Sequence, residues 1–123
     1  MGQYQQNPVS FSSFTSIAEP CNSTLTAGAA SFAGASSCQL SAGQNRLATV
    51  GVVGGGALMP PAQNIGQTIT VYNAAATAAK LYGDNGDTIN GTAGTTGVTL
   101  GAGCTAYLTC WATGVWAGPV AAV

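Results

Sequence analysis

Four cysteines, Cys21, Cys38, Cys104 and Cys110, and three carboxylates, Glu19, Asp84 and Asp87, are the side chains of this sequence suited to covalent, redox or acid-base chemistry. An even cysteine count permits three complete disulfide pairings. Each bridge would add about 2–4 kcal/mol to a small domain. If Cys104 and Cys110 share one strand, six residues at ~3.3 Å rise hold them about 20 Å apart, too far to bond to each other without a turn between them. The other reading is four free thiols buried as small hydrophobes. The spacing resembles no clustered zinc site, and histidine is absent.

Acid-base catalysis finds little support. Without histidine there is no general base tuned to neutral pH and no serine triad. Asp84 and Asp87 flank Asn85-Gly86, a turn sequence, whereas glycoside hydrolysis needs two carboxylates facing one reacting bond. The same four residues offer oxygens to calcium, but lack the twelve-residue spacing and terminal glutamate of a calcium loop. The expectation is a protein that is not an enzyme, with no cofactor and no metal. Asn22-Ser23-Thr24 and Asn90-Gly91-Thr92 fit the glycosylation pattern but read as turn asparagines, because Met1 to Pro20, without a basic region followed by an apolar one, does not read as an export signal. Trp111 and Trp116 are suited either to stacking on sugars or to anchoring a core or an interface.

The composition points the same way. Only 4% of the 123 residues are charged, with Arg46 and Lys80 as the two cations, while 46% are hydrophobic. Such a chain can bury a core, but it lacks the charge that keeps a freely diffusing domain soluble and monomeric. No basic stripe exists for phosphate contacts, so nucleic acid is not an expected partner. The apolar runs are broken by Gly and Pro and fall short of the ~20 residues a bilayer crossing needs, so no membrane is expected either. A skin of Ser, Thr, Asn, Gln and Gly is cheap to desolvate, which suits a symmetric oligomer or a larger particle.

Short strands must position these residues. Residues 1–20 read as an extended arm with Phe11 and Phe14 as anchors, and 21–123 as a single β domain. Gln39 to Ser41 and Arg46 to Val53 read as strands either side of a reversal at residues 42–45. Gly54-Gly55-Gly56 through Pro60-Pro61 reads as a crossing loop. From Gln67 to Asn73, Ile69 and Val71 alternate with Thr68, Thr70 and Tyr72, the period of a sheet. A strand follows from Ala78 to Tyr82, then a turn at Gly83-Asp84-Asn85-Gly86. Leu40-Ser41-Ala42-Gly43 is repeated as Leu100-Gly101-Ala102-Gly103, which suggests two related hairpins in one sandwich or barrel. In Cys104 to Trp111 the even positions are apolar while Tyr107 and Trp111 share the opposite face, so both faces need cover. That cover is either a second subunit, making Tyr107 and Trp111 interface residues, or a loop of the same chain. Phe32, Leu47, Val50, Ile69, Val71, Leu81, Leu100, Leu108 and Trp116 are the expected core.

The stretch Ile65 to Trp116, with Ile69-Thr70-Val71-Tyr72-Asn73, Lys80-Leu81-Tyr82, Gly86-Asp87-Thr88-Ile89-Asn90-Gly91, Val98-Thr99-Leu100-Gly101-Ala102-Gly103, Tyr107-Leu108-Thr109-Cys110 and Gly114-Val115-Trp116, resembles the small β-rich decoration, cement or head-fibre proteins of tailed bacteriophages. The resemblance implies an all-β fold, an antiparallel sandwich or barrel of jelly-roll type, with an extended N-terminal arm. It also implies a homotrimer bound to the major capsid protein on the capsid exterior of a virion, made in the host cytoplasm. Cysteines without an export signal would then oxidise after lysis. The rival virion reading is a tail component or fibre knob that touches a host-surface glycan through Trp111, Trp116 and Tyr82. A different class, a small secreted carbohydrate module, predicts glycan binding by the isolated protein.

Overall fold

The computed structural model describes residues 21–41 and 43–123; the expected arm, with Phe11 and Phe14, lies outside the described residues. Those residues form ten strands and one short helix: β1 (Cys21–Thr26), α1 (Phe32–Ala35), β2 (Gln44–Thr49), β3 (Gly55–Leu58), β4 (Thr68–Asn73), β5 (Ala79–Tyr82), β6 (Thr88–Ile89), β7 (Thr92–Ala93), β8 (Val98–Leu100), β9 (Thr105–Ala112) and β10 (Val115–Ala117). The all-β class is as expected. A long sheet has the order β1-β2-β4-β9-β10-β6-β7, and a short one β3-β5-β8.

The jelly-roll expectation is corrected by the direction of the strands. β1, β2 and β4 are parallel neighbours in the long sheet, and β3 and β5 are parallel in the short one. From β2 to β5 the chain alternates between sheets, long, short, long, short, and returns each time in the same sense. Cys21 faces Gln44, Gln44 faces Thr70 and Gly55 faces Ala79, so one turn takes 23 to 26 residues. This is a short β-solenoid. A jelly roll requires antiparallel pairs throughout, and here, apart from a single antiparallel bridge between Gly28 and Gly56, the antiparallel pairs involve strands of the second half, where β9 runs against β4 and β8 against β5. The antiparallel strands end the parallel stack in both sheets.

The repeated Leu-x-Ala-Gly segments are not hairpins. Gln39 bridges Leu58 beside the short sheet before β2 enters the long one, and β8 of the short sheet is followed by β9 of the long one. The chain therefore passes from the short sheet to the long sheet after each of two fully buried leucines, Leu40 and Leu100.

The glycine run also departs from expectation. Gly55 and Gly56 lie inside β3 and are buried, because α1 and the chain before it press on that strand. A Cβ at Gly56 would sit 2.8 Å from Ala35 Cβ and 2.9 Å from a Tyr82 ring carbon, so only glycine permits the approach. The helix starts at Ser31, whose Oγ accepts from Gly34 N at 2.9 Å. Phe32 then meets the edge of Tyr82 at 6.3 Å between ring centroids. Phe32 is thus half-buried over the short sheet instead of in the core, whereas the other eight nominated residues are buried. Leu40, Met59 and Ile89 add the other large side chains of that core, with Cys38, Cys110 and four alanines between them.

Two asparagines are buried with it. Asn73 donates through Nδ2 to the carbonyls of Thr77 (2.9 Å), Leu100 and Gly101 (3.3 Å each), and its Oδ1 accepts from Ala75 N at 3.0 Å. It ties β4 to the arch that starts the antiparallel cap. Asn45 donates to the Thr70 carbonyl at 3.2 Å and accepts from Asn22 at 3.4 Å, linking three successive parallel strands.

Candidate functional site

Two surfaces stand out, and the topology makes both. The first is the outer face of the long sheet. Along β9, Ala106, Leu108 and Cys110 point into the core, so Thr105, Tyr107 and Thr109 are turned outward by the two-residue period, and Trp111, at a register shift between Cys110 and Ala112, is exposed beyond them. β4 does likewise, burying Ile69 and Val71 and turning out Thr68, Thr70 and Tyr72. The antiparallel register sets Tyr72 opposite Thr105, Thr70 opposite Tyr107, and Thr68 opposite Thr109. Tyr72 and Tyr107 are therefore same-face diagonal neighbours, about 7–8 Å apart. Trp111 lies four residues beyond Tyr107, or about 13 Å along the strand.

The three aromatics make a row with exposures of 41% for Tyr72, 54% for Tyr107 and 66% for Trp111. Trp111 is held, since its Nε1 donates to the Ala117 carbonyl on β10 at 3.3 Å. On the other side of β4, Gln44 faces Thr70 and Arg46 faces Tyr72. Arg46 is the one cation of this face among the described residues, and its Nη1 is engaged by the Ser23 carbonyl at 2.7 Å.

Searches against protein-family models, curated proteins and solved structures return no match to the chain.

The second surface is one lateral edge of the coil. Because β1, β2 and β4 are parallel and β9 opposes β4, the arches 27–30, 50–54, 74–78 and 101–104 lie at the same end of the long sheet. Backbone bonds join them to one another and to the strand ends: Ala27 N to Thr49 O (2.8 Å), Gly54 N to Ala78 O (2.8 Å) and Gly103 N to Asn73 O (2.8 Å). These arches are built from Ala, Gly and Val with Thr77 and Cys104, and no charged residue. Val52 and Val53 project from the edge with 52% and 78% exposure. The opposite lateral edge carries Gln63, Asn64, Asp84 and Asp87.

The remaining expected site residues are placed as follows. Trp116 is fully buried with its Nε1 donating to Pro60 O at 3.2 Å, and Tyr82 lies under Phe32, so neither is available to touch a receptor. The expected grouping of these two with Trp111 is replaced by one in which the register brings Tyr72 beside Tyr107. Asp84 Oδ1 accepts from Asn85 N at 3.0 Å, and Asp87 Oδ2 from Ala62 N at 2.9 Å, so each carboxylate ties down a loop. Asn90 and Gly91 have φ of 51° and 81° and form a two-residue turn of type I′ between β6 and β7. Asn90 exchanges two bonds with the Gly118 backbone, at 2.8 and 2.9 Å.

The four cysteines stand as free thiols. Cys21 is exposed on β1, Cys104 half-buried, and Cys38 and Cys110 buried. Burial pushes the Cys38 thiol above its ordinary pKa. Among the described residues no three metal-binding side chains come together, and no helix is long and apolar enough to cross a membrane.

Proposed function

We propose that the protein is a structural component that works by assembly, in the setting its sequence resemblance suggests, the capsid exterior of a tailed bacteriophage. The observation that carries this reading is the uncharged lateral edge with Val52 and Val53 exposed at its crest. An edge of this kind costs little to desolvate and gains from being covered. A second copy, or the shell protein, meets it in this reading. Closed symmetry among copies would remove it from water without leaving a growing end.

Sedimentation of the purified chain tests the assembly. A discrete oligomer is expected, reduced to monomer when Val52 and Val53 are both replaced by Lys. A monomeric wild-type chain at micromolar concentration rejects it. Location is tested on gradient-purified particles made from the genome that encodes the chain. Co-sedimentation and labelling on the head are expected; labelling on the tail moves the protein to the fibre reading, and absence from particles removes both.

A further inference from the structure

We infer that the row Tyr72, Tyr107 and Trp111 is a binding platform for a neutral polysaccharide. The inference rests on the reading above only in that it gives the assembled, outward-facing protein something to hold; it uses a different surface.

The shape of the row selects the ligand. A protein partner of ordinary affinity needs a continuous apolar centre ringed by polar groups. Here Tyr72 and Tyr107 are diagonal neighbours, but Trp111 stands about 13 Å beyond Tyr107 along the strand, so the three make no continuous centre. Thr105 stands across the ladder from Tyr72, Thr70 from Tyr107, and the Thr68–Thr109 pair lies between Tyr107 and Trp111. Aromatic rings interspersed with threonine hydroxyls suit a pyranose chain, whose rings offer C–H faces for stacking and hydroxyls at their rims. Six residues of β9 separate Thr105, opposite Tyr72, from Trp111, so the row is about 20 Å long, the reach of an oligosaccharide and not of a single sugar.

Charge selects further. Bases of single-stranded nucleic acid stack on aromatics too, but their backbone requires a cationic groove. Among the described residues this face carries one cation, Arg46, itself engaged by the Ser23 carbonyl. An anionic polysaccharide meets the same deficit, and a neutral one does not. Pre-organisation favours binding as well. The platform is a sheet backed by the fully buried Leu108, Ile69 and Val71, and the Trp111 indole is held to Ala117, so the backbone and this one ring have little freedom left to lose.

The test is retention on insoluble cellulose, chitin, β-1,3-glucan and mannan, with heparin-agarose and single-stranded DNA as charged comparators. The wild-type chain is expected to be retained on at least one neutral polymer, undiminished at 1 M NaCl, with a change in the emission of the exposed Trp111. Trp111→Ala and Tyr107→Ala are each expected to weaken retention at least tenfold, while Trp111→Phe keeps most of it. All three lie on an exposed face, and unchanged circular dichroism will certify their folding. No retention on any neutral polymer, equal retention by the Tyr107→Ala/Trp111→Ala double variant, or binding only to heparin or DNA that salt abolishes would each overturn the inference. The Val52→Lys/Val53→Lys chain is run alongside: if it dissociates yet is still retained, the platform stands without the oligomer, and if the wild type assembles but is not retained, assembly stands without the platform.

Discussion

Asn22 and Asn45 face each other in register on adjacent parallel strands, and their side-chain amides meet at 3.4 Å. Asn45 passes the connection on, donating to the Thr70 carbonyl of the next strand at 3.2 Å. In a parallel stack identical positions recur one turn later, so an amide that both donates and accepts is suited to bonding its counterpart. Replacing Asn45 by Ala deletes these bonds inside a nearly closed site. Thermal or denaturant unfolding should show a loss of about 1–3 kcal/mol, with Asn22→Ala, at a half-buried position, costing less.

Asn73 should matter more. Its amide is fully buried and bonds three carbonyls and one N–H across the start of the antiparallel cap. Asn73→Leu keeps the volume but strands those groups, and a penalty of about 2–4 kcal/mol is expected from the unmet hydrogen bonds. Hydrogen exchange should locate the loss of protection at residues 100–104 and 75–78. Protection lost only elsewhere would show that the cap does not depend on this side chain.

The glycines of β3 make a paired prediction. Gly56→Ala pushes a Cβ to 2.8 Å from Ala35 and 2.9 Å from the Tyr82 ring, so the α1 segment must lift. A destabilisation of about 1–3 kcal/mol is expected from overpacking. Gly51 has nothing within 4 Å of such a Cβ and no left-handed φ, so Gly51→Ala should be neutral or stabilising by about 0.4–1 kcal/mol. Equal effects at the two positions would contradict the close approach of α1 to β3.

Thiol chemistry should sort the cysteines. In the native protein a thiol reagent should modify Cys21 first and Cys104 more slowly, while the buried Cys38 and Cys110 react only after unfolding. Burial raises the Cys38 pKa, so above the ordinary thiol value the unfolded chain loses this proton before the folded one does. Its contribution to stability is therefore intact below that range and declines as pH rises through it. Cys38→Ala should flatten this alkaline decline in unfolding measurements between pH 7 and 10.

Local patterns were readable where one residue's neighbours in sequence decide its environment. The alternation of Ile69 and Val71 with Thr68, Thr70 and Tyr72 located β4, and that of Ala106, Leu108 and Cys110 located β9, which also placed Tyr107 and Trp111 on one outward face. What joins Tyr72 to that row is the pairing of residues more than thirty apart, and no local pattern encodes it. The parallel winding was hidden for the same reason: Cys21 faces Gln44 and Gln44 faces Thr70, yet these residues share no motif. Glycine is a poor strand former by propensity, which hides β3, whereas the approach of α1 to Gly56 and of the Gly28 and Val52 carbonyls to Gly55 is set by distant segments. Trp116 and Tyr82 were candidates for a surface role by residue type alone; Pro60 and Phe32, distant in sequence, take them out of solvent.

Because β8 and β9 run opposite to β5 and β4, the coil stops repeating at these two strands, and its repeating part lies wholly on one side of them. An extra storey of some 23 to 26 residues, spliced between β2 and β4, would widen the platform by one strand spacing and leave the roof untouched. Gene duplication, or a protein engineer, thus has a place at which this fold can be made larger without being redesigned.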